Sequence, residues 1–164
     1  MQEFIKKAHP QWQEMLHEAM SHMDASYLLE LKQSDEWLPG QASLLAAFSH
    51  PVDETRYILM GESPYPRAKS ANGYAFWDDA VGSLWSEKGL SKEVNRATSL
   101  RNLIKMMLYA RGDLTTDFSK EAIATLDKSA YLQKADDLFM AFVRQGFLLL
   151  NATLVYSKGR VNYH

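Results

Sequence analysis

Two short apolar runs constrain this chain more than any other feature: Arg56 to Met60 (Arg-Tyr-Ile-Leu-Met) and Phe147 to Leu150 (Phe-Leu-Leu-Leu). Each is too short for a helix and is bounded by charged residues or glycine, so each reads as a buried strand. The sequence between them is mostly helical in pattern. Two strands joined by a long helical crossover pair in parallel, and a parallel sheet is covered on both faces. The expected fold is therefore α/β, with three layers and a short central parallel sheet flanked by helices. Ligands of such sheets bind beyond the carboxyl ends of the strands, where Gly61 to Pro66 and Asn151 stand.

The helical pattern can be followed along the chain. Trp12, Met15, Leu16, Ala19 and Met23 recur at helical spacing behind Pro10, which can open a helix because its missing N–H has no partner there anyway. Tyr27, Leu28 and Leu31 continue as a second amphipathic piece, and Leu44, Leu45 and Phe48 mark a short helix ending before Pro51. Trp77 to Asn95 has no clear period. Leu100, Leu103, Ile104, Met107 and Leu108 form one helical face, with Thr98 or Ser99 as N-cap. Leu132, Ala135, Leu138, Phe139 and Phe142 form another, stopping at Gly146.

Composition narrows the function. With 164 residues and 46% hydrophobic residues, the chain suits one domain spanning 1–164 with its own core. A net charge of −2 gives no basic stripe for sequence-independent nucleic-acid binding. The absence of cysteine excludes disulfides and thiolate metal sites. His9, His17, His22, His50 and His164 lack metal-ligand spacing, no Gly-rich phosphate loop occurs, and neither a metal nor a cofactor is expected. Met1 to Lys7 has no apolar signal core, and no run approaches membrane-spanning length, so a cytoplasmic monomer is the expectation. A serine hydrolase built on Ser63 is excluded, because the residue after its nucleophile supplies an oxyanion N–H and Pro64 has none.

Three segments carry a more specific signal. Gly61-Glu62-Ser63-Pro64-Tyr65-Pro66, followed by Gly73-Tyr74-Ala75-Phe76, resembles the water-activating loop of the uracil-DNA glycosylases, Gly-Gln-Asp-Pro-Tyr-His followed by Gly-x-x-Phe. Ser99-Leu100-Arg101-Asn102-Leu103-Ile104-Lys105 is similar to the Ser-Leu-x-Asn-Ile-x-Lys helix start of that family. Gly146-Phe147-Leu148-Leu149-Leu150-Asn151-Ala152 is similar to its Gly-Val-Leu-Leu-Leu-Asn-Ala. Taken singly, Ser63-Pro64 is a turn, Asn151 a strand-end cap, Phe76 a core residue, and Lys88, Lys92 and Arg96 a solvated surface. The ordered set outweighs those readings for the first three.

The resemblance implies a DNA base-excision enzyme, a glycosidase that holds a flipped-out base. It makes Phe76 the stacking residue, Asn151 the amide reading the edge of uracil, and Tyr65 the wall rejecting a 5-methyl group. The backbone amides of Glu62 and Ser63 would face the base oxygen O2, and Ser99 would contact DNA. Ser63 stands where the family has its catalytic aspartate, and a neutral hydroxyl can position water but offers no charge to the sugar cation. Pro66 replaces a phosphate-contacting histidine. The chain also ends before the family's His-Pro-Ser-Pro-Leu motif, so a domain lacking that part is expected. The alternative implied by these departures is a catalytically impaired relative that binds DNA, a base or a protein partner through the retained pocket.

Overall fold

The computed structural model describes residues 2–158. Along the chain run α1 (Gln2–Ile5), α2 (Pro10–Ser21), α3 (Ala25–Gln33), a 3-10 turn (Ala46–Ser49) and β1 (Tyr57–Gly61). A hairpin of β2 (Trp85–Ser86) and β3 (Gly89–Leu90) follows, then α4 (Lys92–Arg96), α5 (Thr98–Ala110), α6 (Lys120–Thr125), α7 (Ala135–Arg144) and β4 (Phe147–Asn151). These elements form two compact units, one from the residues up to Ala75 with those from Phe142 onward, the other Phe76–Ala141.

In the first unit, Pro10 opens α2 and the ring of His9 accepts a hydrogen bond from Gln11 N–H (3.4 Å). The buried stripe of α2 is Trp12, Leu16 and Met20, whereas Met15, Ala19 and Met23 are exposed. The indole N–H groups of Trp12 and Trp37 donate to the carbonyls of His50 (2.7 Å) and Leu31 (2.9 Å), as aromatic donors in a core must. Helix α3 begins at Asp24, whose carboxylate accepts from Ser26 N–H (2.8 Å) and Tyr27 N–H (3.0 Å).

Asp24 is one of three exposed carboxylates held below the ordinary value by hydrogen bonds. At Asp24 the Ser26 hydroxyl is the main cause, and at Asp117 and Asp127 it is the backbone N–H of Ser119 and Ser129. A lowered folded-state pKa gives stability that is complete above the unfolded value of about 3.9 and is lost as pH falls through the lowered values. The melting temperature should therefore drop on acidification below that point, and Asp24→Ala should flatten part of the drop. An identical acid slope in the two proteins, followed by circular dichroism, would remove this cap as a cause.

Strands β1 and β4 pair in parallel, as expected, in a register running from Tyr57 opposite Phe147 to Gly61 opposite Asn151. Alternation along β4 sends Leu148 into a core with Phe4, Ile5, Trp12, Leu16, Leu45 and Phe48, and Leu150 packs against the same cluster. On the opposite face Phe147 meets Tyr57 (4.8 Å between ring centroids) and Phe142 in the last turn of α7 (5.0 Å). A short parallel sheet with helices on both faces is thus the architecture. The expectation that β1 is buried fails, since Tyr57, Ile58 and Met60 are each more than half exposed. Among the described residues nothing pairs with the far edge of β1, and an apolar run cannot reveal which side of it is covered.

In the second unit, Trp77 lies flat on Phe139 (5.3 Å, interplanar angle 11°) and its indole N–H donates to Asp136 (3.3 Å). The stretch without periodicity holds the β2–β3 hairpin and α4, capped by Ser91. Helix α5 buries Leu100, Leu103, Ile104 and Leu108. Its N-cap is Ala97 without a side-chain bond, so neither Thr98 nor Ser99 caps it.

Candidate active site

The two chain segments that leave β1 and β4 are clasped together. Ala152 N–H donates to the carbonyl of Gly61 (2.9 Å), and both N–H (3.0 Å) and Oγ1 (3.2 Å) of Thr153 donate to the carbonyl of Glu62. In a trans peptide the N–H points opposite to the preceding C=O. With both carbonyls turned toward residues 152 and 153, the N–H groups of Glu62 and Ser63 turn away from them. Among the described residues neither N–H has an acceptor. Two successive free amides facing one side are suited to an anionic or developing negative oxygen.

Beside them stands Asn151, which closes β4 and is only 5% exposed. Its position requires glycine at 61, because a Cβ there would lie 2.5 Å from the Asn151 Oδ1 and 2.9 Å from the Ala75 Cβ. Ala75 is fully buried and its N–H donates to the Leu149 carbonyl (3.0 Å), which fixes this third wall to β4. Among the described residues the Asn151 carboxamide has no hydrogen-bond partner. A buried amide lacking partners is destabilising, by about 1–3 kcal/mol for the group left unpaired, and buried polar groups in folded proteins are nearly always satisfied. A buried carboxamide in this position is available to bond a ligand or a water.

The loop after Gly61 is anchored by the buried Pro64, with Ser63 and Tyr65 half-buried and Glu62 exposed. The guanidinium of Arg67 lies 5.9 Å from the centroid of the Tyr65 ring, while Arg67 Nε donates to Oγ of the fully buried Ser70 (3.0 Å). Phe76 follows Ala75 directly and has φ +64°, the sole non-glycine residue with positive φ among the described ones. For a bulky side chain this conformation costs about 1–2 kcal/mol, and such strain persists where the surroundings over-determine the backbone. Phe76 and Ser99 belong to the second unit, and Ser99 is exposed in the first turn of α5.

Sequence reasoning placed Gly61 at the site without a role of its own, and gave none to Ala75 and Thr153. A glycine ending a strand was the available signal for the first, since it permits close approach of another group. In the second unit the buried Asp78 accepts from Ala80 N–H (3.0 Å) through one carboxylate oxygen, a local turn bond. No group of three or more His, Asp or Glu residues among the described ones can hold a metal ion. No helix among them is long and apolar enough to cross a membrane, and His164 lies outside them.

Polar groups gathered beyond the carboxyl ends of two parallel strands define an α/β ligand-binding domain. No protein-family profile matches the chain. The crystal structure of the UNG from Nitratifractor salsuginis superposes with a TM-score of 0.88 at 45% identity, covering 99% of this chain and 68% of that one. The uracil-DNA glycosylase of Corynebacterium efficiens is 24% identical over 159 residues, and that of Fusobacterium nucleatum 25% over 168. The mimivirus uracil-DNA glycosylase, at 14% identity and a TM-score of 0.54, shares the fold. The chain belongs to the uracil-DNA glycosylase superfamily. It spans 55% of the Corynebacterium protein and 60% of the Fusobacterium protein.

Proposed function

We propose that this protein hydrolyses the N-glycosidic bond of uracil, or of a related damaged base, in DNA. The observation that carries the proposal is the buried, unpartnered carboxamide of Asn151. A carboxamide accepts through its oxygen and donates through its nitrogen, which matches uracil N3–H and O4; cytosine presents the reverse pattern. The free N–H groups of Glu62 and Ser63 would take the base oxygen O2 and stabilise the negative charge that develops as the base leaves. Ser63 Oγ would position the water whose oxygen bonds to the sugar carbon as the bond to the base nitrogen breaks. Phe76 would stack on the extruded base, Tyr65 would exclude a 5-methyl group, and Ser99 would contact the DNA. No metal or cofactor takes part in this scheme, and a monomer acting on DNA in the cytoplasm completes it.

Asn151→Ala should weaken binding to a uracil-containing oligonucleotide by about 1–3 kcal/mol, because polar groups on the base then stay unpaired. Affinity for the same oligonucleotide with thymine should not change. Gly61→Ala, which adds a methyl group where the carboxamide oxygen sits, should reproduce the loss. Fluorescence anisotropy on both oligonucleotides provides the measurement. Equal affinity of the unmutated protein for the two would overturn the role of Asn151 as reader.

A further inference from the structure

The clasp between the two strand-end segments loads its two carbonyls unequally. The Gly61 carbonyl accepts one hydrogen bond, from Ala152 N–H (2.9 Å). The Glu62 carbonyl accepts two, both from Thr153: one from its N–H (3.0 Å) and one from its hydroxyl (3.2 Å). A carbonyl oxygen has two lone pairs, so the Glu62 acceptor is filled. The Thr153 N–H alone would satisfy it, as Ala152 N–H satisfies Gly61. The hydroxyl is therefore not needed to keep a polar group paired.

Its effect falls on the other end of the same peptide unit. Each carbonyl is conjugated with the N–H of the following residue, Gly61 with Glu62 and Glu62 with Ser63. A hydrogen bond at the oxygen draws electron density toward it and leaves the N–H more positive. Linked hydrogen bonds strengthen one another in this way by roughly 10–30% per bond. One donor thus polarises the Glu62 amide, and two polarise the Ser63 amide. Among the described residues neither N–H has an acceptor, so the polarisation is available to a ligand oxygen.

On the base-excision reading of this site, on which the inference rests, we propose that Thr153 is a positioning residue. Its hydroxyl makes the Ser63 N–H the stronger of the two donors to the base oxygen, and so the principal stabiliser of the charge that develops there. Thr153 acts through the Glu62–Ser63 peptide, which it also holds in place with two donors on one oxygen. Negative charge on the base oxygen grows only as the glycosidic bond breaks. A stronger donor therefore speeds that step more than it tightens binding.

The test compares Thr153→Val, Thr153→Ala and Thr153→Ser. Valine keeps the branched shape and alanine removes it, both without the hydroxyl, whereas serine keeps the hydroxyl. All three keep the N–H at position 153, so the Glu62 carbonyl stays paired and each variant should fold. In proton–nitrogen correlation spectra of the DNA-free protein, the Ser63 amide proton should move upfield in T153V and T153A and return in T153S. The Glu62 amide should stay in place, because its peptide is held by Ala152. Single-turnover base release from uracil-containing DNA should be roughly three- to tenfold slower in T153V and T153A, with Kd for that DNA unchanged and most of the rate recovered in T153S. A Ser63 amide that does not move, or one that moves together with Glu62 as a loosened clasp would require, overturns the proposal. So does an unchanged rate in T153V and T153A, or a T153S protein as slow as T153A. Absence of base release by the unmutated protein would instead overturn the base-excision reading, and the two amide signals would then decide the effect of Thr153 on Ser63 by themselves.

Discussion

Replacing Ser63 by aspartate should raise the rate of base release from uracil-containing DNA by on the order of 10²–10³, the effect of a well-placed electrostatic group in a closed site. In the proposed scheme the gain would arise because a carboxylate at this position could orient water and also carry negative charge toward the sugar cation, whereas a serine hydroxyl could do only the first. Ser63 is half-buried, between the exposed Glu62 and the buried Pro64. Glu62→Gln is the control. Glu62 is exposed, and its backbone rather than its carboxylate is tied into the site through Thr153. Single-turnover formation of abasic sites, at equal folded concentrations, is the quantity to compare. An unchanged rate in Ser63→Asp, with intact binding of uracil-containing DNA, would show that position 63 does not set the rate. A large loss in Glu62→Gln would move the catalytic carboxylate to that residue.

The second large effect is on stability. Gly73 has φ +89°, and a Cβ there would collide with the Ser43 carbonyl oxygen and lie 2.9 Å from the Ala46 Cβ. Gly73→Ala combines a left-handed backbone penalty of about 1–2 kcal/mol with an overpacking penalty of about 1–3 kcal/mol. A total near 3 kcal/mol lowers the melting temperature by roughly 6–12 °C in a chain of this size. Gly112→Ala separates the two causes, because Gly112 also has positive φ (+82°) but meets nothing within 4 Å. It should show the backbone part alone. Equal melting temperatures for the two variants would mean that the segment before Ala75 yields easily and does not hold the site rigid.

Much of the frame was legible because β1 and β4 are uncharged runs bounded by glycine or charge, and their parallel pairing followed from the helical sequence between them. The phase of α2 was less legible. Trp12 and Leu16 fit two stripes, one through Met20 and one through Met15 and Met23, and only packing against Phe48 and its neighbours selects the first. Helix α6 and the β2–β3 hairpin escaped notice because six residues and two-residue strands are too short to establish a period. Ser63, Asn151 and Tyr65 could be named because the segments after the two strands resemble the family's motifs. The conformation of Phe76 could not, since left-handed backbone is anticipated at glycine or asparagine and not at an aromatic residue. The clasp at Thr153 was hidden for a simpler reason, as main-chain acceptors leave no trace in side-chain identity.

That clasp also determines when during synthesis the site can exist. Thr153 and Glu62 are 91 residues apart in sequence, and contacts of such span form late because a long loop must close first. A ribosome-bound chain that has already made β1 and the Ser63 loop still lacks the strand that brings Asn151 and the donors to Gly61 and Glu62. The amide pair and the Asn151 carboxamide are therefore brought together only after β4 has emerged and joined the sheet. Until then the nascent protein carries every residue of the loop and no pocket.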